Sequence, residues 1–355
     1  MAVDYKRELT SLIELIVGEK ASDLHFSVGA HPLIRVAGSL IPLVKKPILT
    51  DADINAFAKI LMRDDQYERY LEFNEIDFSF ESAEGVRFRG NAFYQRGKMG
   101  IALRLIPNVI RTFEELNLPL ILESFTQRPQ GFFLCVGPVG QGKSTTLAAM
   151  VNMINKTRSE HIVTIEDPIE YVYQEEKALI DQREVGIDTK SFELALTAAL
   201  RQDVDVILVG EMRNTETISA AVTAAETGHL VYSTLHTNDA AQTVNRIVDS
   251  FPAAQQAQIR VQLASSLIAI FSQRLIPHIS GGLVPAYELL INNNAVSNLI
   301  RENRIHEIPS VIETGLEQGM IDMNRCLVRM VQNGDITVEN AFAHSVNPKG
   351  LERLL

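Results

Sequence analysis

The residues best suited to do chemistry run Gly137-Pro138-Val139-Gly140-Gln141-Gly142-Lys143-Ser144-Thr145, which fits the pattern G-x-x-x-x-G-K-[ST]. Glycines at these spacings let a loop turn tightly enough to aim several backbone N–H groups at one phosphate chain. In that role Pro138, Val139, Gly140, Gln141, Gly142, Lys143, Ser144 and Thr145 form the phosphate cradle. Lys143 reaches the β- and γ-phosphates, and the Ser144 hydroxyl sits on Mg²⁺. A helix starting at Ser144 points its positive end at the same anion. The plainer alternative is a glycine turn between a buried strand and a helix. The loop alone implies only that phosphate is held.

Hydrolysis also needs carboxylates near the metal and the attacking water. Val204-Asp205-Val206-Ile207-Leu208-Val209-Gly210-Glu211 is an apolar strand ending in a carboxylate. It resembles a Walker B segment, in which Glu211 contacts Mg²⁺ through water. A second strand, His161 to Ile165, runs into Glu166-Asp167-Pro168-Ile169-Glu170. Either Glu166 or Glu170 could deprotonate the attacking water, and the sequence does not choose between them. Helix capping and pairing with surface lysines are the competing structural roles. His229 and His236 stand at the two ends of Leu230 to Leu235. A histidine there can donate to a γ-phosphate or its water. His236, at the end of Ser233-Thr234-Leu235, is the stronger candidate, and a structural role suits His229. Seven residues apart on an extended strand and without a third ligand, the two do not form a metal pair.

These groups need elements to position them. From Gly131 onward apolar strands alternate with helices, the pattern of a parallel sheet. Strands are expected at Phe132–Val136, His161–Ile165, Val206–Val209 and Leu230–Thr234, with an outer strand at 284–290 held to an edge by Pro285. Beyond Ala295 the chain reads as mostly helical. Before Pro107 the pattern differs: a helix over 8–17, strands at 23–28 and 32–36, a helix after Thr50, a hairpin over 77–93 and a strand at 100–106. The stretch from Pro107 to Pro129 reads as the boundary, with a short helix near Phe113 to Leu116.

The chain has 355 residues, enough for about two domains, with 46% hydrophobic and 22% charged residues. Its 33 Lys+Arg against 44 Asp+Glu give −11, so no general basic surface awaits nucleic acid. Two cysteines, Cys135 and Cys326, cannot build a four-cysteine zinc site or a disulfide framework, which fits a reducing cytoplasm. Met1 to Glu8 lacks the apolar core of a secretion signal, and no apolar run approaches bilayer-spanning length. Direct membrane insertion is not expected.

Taken together, Gly137–Thr145, Thr164–Glu170, Ile207–Arg213 and Thr227–Thr237 resemble the Walker A, Asp, Walker B and His boxes of the secretion ATPase superfamily. That superfamily powers type II and type IV secretion and the assembly and retraction of type IV pili. Ala21-Ser22-Asp23-Leu24-His25, Asp77 to Phe80, Gln182 to Val185 and Ala224 to His229 are similar to segments of its pilus-retraction motors. Ala295-Val296-Ser297-Asn298-Leu299-Ile300-Arg301-Glu302 is similar to their AIRNLIRE element, departing at Val296 and Ser297. Val204 replaces a common proline, and Gln141 replaces a P-loop serine.

The resemblance implies an N-terminal PAS-like α+β domain (1–106), a linker (107–129), a RecA-like P-loop ATPase domain with a parallel-rich sheet (130–290) and a helical C-terminal region (291–355). It implies ATP and Mg²⁺ as ligands and a homo-hexameric ring. It also implies a cytoplasmic place at the inner membrane, through a platform protein of the pilus machine, with pilin an indirect partner. Arg89 and Arg104 match arginines that reach the nucleotide's phosphates, although strand arginines commonly just face solvent. The function implied is ATP hydrolysis driving pilus retraction. A compact type IV secretion ATPase or a pilus-assembly ATPase is the alternative, and a RecA-like nucleic-acid motor fits the acidic balance less well.

Overall fold

The computed structural model describes residues 4–36, 38–107 and 109–355. The expected linker includes Asn108, and the N-terminal signal reading includes residues 1–3; these four lie outside the described residues. The chain divides into two compact units, one up to Val109 and one from Ile110 on.

The first unit holds α1 (Tyr5–Gly18), β1 (Asp23–Ser27), β2 (Leu33–Val36), β3 (Ser39–Pro42), α2 (Asp51–Leu61), α3 (Asp64–Phe73), β4 (Glu75–Glu81), β5 (Arg87–Gln95) and β6 (Lys98–Leu105). Its strands pair antiparallel in the order β3-β2-β1-β6-β5-β4, the small α+β arrangement expected. One sheet face and the apolar faces of α1 and α2 enclose Leu12, Leu24, Phe26, Phe57, Phe88 and Leu103. Thr50 starts α2 with a capping box: its hydroxyl accepts from the Asp53 N–H, while the Asp53 carboxylate accepts from the Thr50 N–H. Gly90 is required by packing, since a Cβ there would lie 2.3 Å from the Phe78 ring on the neighbouring strand.

The second unit begins with α4 (Ile121–Thr126), then β7 (Gly131–Val136), α5 (Lys143–Thr157), β8 (His161–Glu166), β9 (Leu179–Glu184), α6 (Phe192–Ala199), β10 (Val206–Val209), α7 (Thr215–Glu226), β11 (Leu230–Leu235), α8 (Ala240–Asp249) and α9 (Ala253–Ser266). It continues with β12 (Leu267–Pro277), β13 (Leu283–Ile291), α10 (Asn294–Arg301), α11 (Ile308–Thr314), α12 (Met323–Asn333), α13 (Val338–His344) and α14 (Pro348–Glu352). The sheet order is β13-β12-β7-β11-β10-β8-β9, and every neighbouring pair is parallel except β12 with β13. Helices cover both faces, so its central strands are apolar on both sides. Phe132, Leu134 and Val136 face the core shared with α6 to α11, while Phe133 and Cys135 face the core shared with α5 and α12. Burial pushes the Cys135 thiol up to about 12, so it is a small core residue with no thiolate chemistry.

Several elements differ from expectation, among them β3 and α3, which the sequence reading did not include. Residues 113–117 form hydrogen-bonded turns instead of a helix. Thr112 and Glu115 bond reciprocally as a helix start would, yet Asn117 adopts φ +53° and Pro119 follows, stopping the chain after one turn. Strand β12, absent from the sequence reading, follows α9 directly, because Ser266-Leu267-Ile268 carries no glycine or proline to mark the change. Edge strand β9 was likewise hidden, since Asp181-Gln182-Arg183-Glu184 is too polar to read as sheet. The outer strand around Pro285 is β13, at the sheet edge as its proline requires.

Candidate nucleotide site

In a parallel sheet the carboxyl ends of the strands open onto one rim, and ligands bind there. The sequence delivers its chemistry to that rim. The glycine loop leaves β7, Glu166 ends β8, Glu211 follows β10, and His236 follows β11. His229 precedes β11 and so lies at the opposite rim, about 20 Å from His236 along an extended strand. Its Nδ1 stands 3.0 Å from the Ala224 carbonyl at the end of α7, a local structural contact.

Lys143 opens α5 and is buried. Its Nζ donates to the carbonyls of Gly137 and Pro138, both at 2.8 Å, and stands 3.3 Å from Nδ1 of His236. Burial pulls this ammonium below the ordinary lysine value, while the carboxylates of Glu170 and Glu211 push it back up. Gly137 adopts φ +147°, and a Cβ there would meet the Gln273 carbonyl at 2.4 Å. That strand contact alone demands glycine. Thr145 bonds to the Tyr171 hydroxyl at 2.8 Å, and Ser144 is half-buried at the start of α5.

Glu166 is buried, and burial raises its carboxyl to about 7. Its Oε1 accepts from the Thr164 hydroxyl at 2.7 Å and from Gln182 at 3.4 Å, and its Oε2 accepts from the Glu170 N–H at 3.3 Å. Glu170 is exposed, and its carboxylate has no hydrogen bond or ion pair among the described residues. Glu211 is half-buried and pairs closely with Arg213, which also lies 3.8 Å from Asp167. His236 Nε2 lies 3.6 Å from the other Glu211 oxygen.

No described residues form a cluster of three or more side chains able to hold a metal ion alone. Mg²⁺ suits the donors present nonetheless: it is a hard cation that takes one or two protein oxygens and fills its shell with phosphate and water. The Ser144 hydroxyl and the Glu211 carboxylate are such donors.

Arg89 and Arg104 belong to the first unit. They are exposed and directly paired across β5 and β6. Arg104 donates to buried Asp23 at 3.0 Å, and Arg35 lies 3.7 Å from the same carboxylate. Strand register thus aligns Arg35, Asp23, Arg104 and Arg89 in one row across four strands.

Sequence reasoning gave no site role to Gln182, Tyr171, Arg213 and Gln273, whose polar side chains touch the site from neighbouring strands and loops. Gln182 and Arg213 lie within the segments that carry the family resemblance, whereas Tyr171 and Gln273 belong to none of them. A separate cavity of about 250 Å³, lined in part by Tyr287, Cys326, Arg329 and Asp335, includes none of the loop residues. In α10, the departures Val296 and Ser297 both face inward. Val296 is buried, and Ser297 Oγ lies 3.0 Å from the Ala264 carbonyl and from Asn292 Oδ1. Ala295, Asn298, Arg301 and Glu302 are exposed.

Residues 4–318 match the family described as Type II/IV secretion system protein, and the chain belongs to that family. It is 46% identical over 334 residues to the Type IV pilus retractation ATPase PilT of Pseudomonas aeruginosa, spanning 94% of this chain and 97% of that protein. It is 47% identical over 321 residues to the Twitching motility protein of Neisseria gonorrhoeae, spanning 90% of this chain and 86% of that one. A crystal structure of the pilus retraction motor PilT with bound ADP superposes with a TM-score of 0.91 at 48% identity, covering 96% of this chain and 98% of that one. No described helix is long and apolar enough to cross a membrane.

Proposed function

We propose that this chain is an ATP-hydrolysing motor (ATP + H₂O → ADP + phosphate) that powers type IV pilus retraction as a homo-hexamer. The observation that carries the reading is 46% identity to a retraction ATPase along nearly its whole length. The convergence of Lys143, Glu166, Glu211 and His236 on one rim supports it.

In this reading Pro138 to Thr145 hold the phosphates. Lys143 exchanges a loop carbonyl for a phosphate oxygen. Ser144 and Glu211 would hold Mg²⁺, which when bound would supply positive charge to the phosphates. Glu170, its carboxylate free, takes the proton of the attacking water, and Glu166 is braced by the Glu170 N–H. Glu166, its carboxyl raised to about 7 by burial, orients that segment. His236 senses the γ-phosphate end, whereas His229 has a structural part. Arg89 and Arg104 supply cationic charge to the phosphates during turnover. The domain division proposed is 1–106, a linker at 107–129, an ATPase domain at 130–290 and a helical region at 291–355. The motor works in the cytoplasm, against an inner-membrane platform protein that acts on pilin.

Deletion and complementation test the reading. Cells lacking the gene should be hyperpiliated and unable to retract, rescued by wild type and not by Lys143→Ala. Cells without pili would instead identify an assembly motor. Purified Lys143→Ala should lose ATP turnover, and Glu211→Gln should lower it at least about 100-fold.

A further inference from the structure

We infer that Gln273 is a positioning residue for phosphate binding, holding the glycine loop through a clasp completed by Gln141. This rests on the reading of that loop as a nucleotide site. Gln273 lies on β12, which lies beside β7, and is 2% exposed. Its amide makes two bonds, one to the loop and one to the first turn of the helix that follows it. Nε2 donates to the Gln141 carbonyl at 2.7 Å, and Oε1 accepts from the Thr146 hydroxyl in the first turn of α5 at 2.7 Å. Gly142 sits between them, and a Cβ there would lie 3.0 Å from Nε2 of Gln273. Gln141 returns the contact, its Oε1 accepting from the Leu275 N–H at 2.7 Å. The Gln273 backbone carbonyl meanwhile sets the closest approach of Gly137. One residue therefore touches the beginning and the middle of the loop and the first turn of the helix after it.

The chemistry explains the residue type. A primary amide donates to a carbonyl and accepts from a hydroxyl through two separate atoms and without charge, which suits a buried side chain that must span both groups. Glutamate would set a carboxylate against the Gln141 carbonyl, and leucine would bury both loop groups unpaired. The peptide is planar and trans, so holding the Gln141 C=O toward β12 turns the Gly142 N–H the opposite way. Fixing that N–H before ligand arrives lowers the ordering cost of phosphate binding.

The test uses purified full-length protein with ADP and MgCl₂ as the calorimetric probe, plus steady-state ATP turnover. Gln273→Leu should raise the ADP Kd about tenfold and the KM for ATP in parallel, the scale of losing two neutral hydrogen bonds. Its kcat should stay within about threefold of wild type. Gln273→Glu should weaken ADP at least as much. Gln141→Ala, which removes only the return bond to the Leu275 N–H, should raise Kd about threefold and serves if the Gln273 variants do not fold. Wild-type Kd and KM in a folded Gln273→Leu, or in Gln141→Ala where the Gln273 variants fail to fold, overturn the inference, as does a lowered melting temperature with KM unchanged. Failure of the wild-type protein to bind ADP overturns the nucleotide reading itself, and this inference with it.

Discussion

The Nδ1 atom of His236 lies 3.3 Å from the Nζ atom of Lys143. Lysine only donates, so Nδ1 is the accepting nitrogen and the ring proton sits on Nε2, toward Glu211 at 3.6 Å. The imidazole thereby joins the phosphate-binding cation to the carboxylate assigned to the metal. His236→Ala should cut kcat about 100-fold with KM for ATP little changed, as measured by steady-state turnover. His229→Ala, at the far rim, should leave KM near wild type.

Two buried carboxyls predict a pH dependence of stability. Glu166 and Glu288 are both pushed up to about 7 by burial. In the unfolded chain they ionise near the ordinary glutamate value, so between about pH 4.5 and 7 the unfolded state has released protons that the folded state retains. Their stabilising contribution is complete below that window and is lost as pH rises through 7. The Glu288 side chain also accepts from the Ala240 N–H at 2.9 Å, which an amide oxygen can do equally well. Glu288→Gln should therefore flatten the decline in denaturation midpoint between pH 5 and pH 8, worth up to about 3 kcal/mol. An unchanged slope would count against the assignment.

Gly137 cannot bear a side chain. Gly137→Ala drives a Cβ into the Gln273 carbonyl and strains a positive φ. The expected cost is about 2–4 kcal/mol in chemical denaturation, together with weakened ADP binding. Gly140→Ala, with nothing within 4 Å of the added atom, pays only the φ +77° strain and should cost less.

Asp23 holds two arginines. Hydrogen bonds from Ser22 and Arg104 keep its carboxyl below the ordinary aspartate range despite burial, which acts the other way. Stability from such a group is present above the unfolded value and is lost as pH falls through the folded one. Asp23→Asn should therefore lower the unfolding free energy at pH 7 by only about 1 kcal/mol, because both arginines reach solvent, and the gap should narrow in acid. Scanning calorimetry at two pH values checks this.

The sequence disclosed what is local. Phe132 to Val136 are apolar without interruption, so they read as a doubly covered strand, and Gly137 to Ser144 carry their own spacing. The carboxylates at 166 and 211 were visible because each terminates an apolar run, and Glu170 because it closes the acidic cluster that Glu166 opens. Gln273 was not, because its role arises only when β12 lies beside β7, across more than 120 residues of chain. Strand β12 itself was hidden because no glycine or proline separates it from α9. The separation of Glu166 from Glu170 likewise needed burial, which two acidic residues four apart do not reveal.

Helix α10 has two unlike sides. Its substitutions are confined to the side that mates with the end of α9, where Ser297 and Asn292 satisfy the Ala264 carbonyl. On the other side Ala295, Asn298, Arg301 and Glu302 stay open to solvent, so α10 keeps both signs of charge on its outer surface.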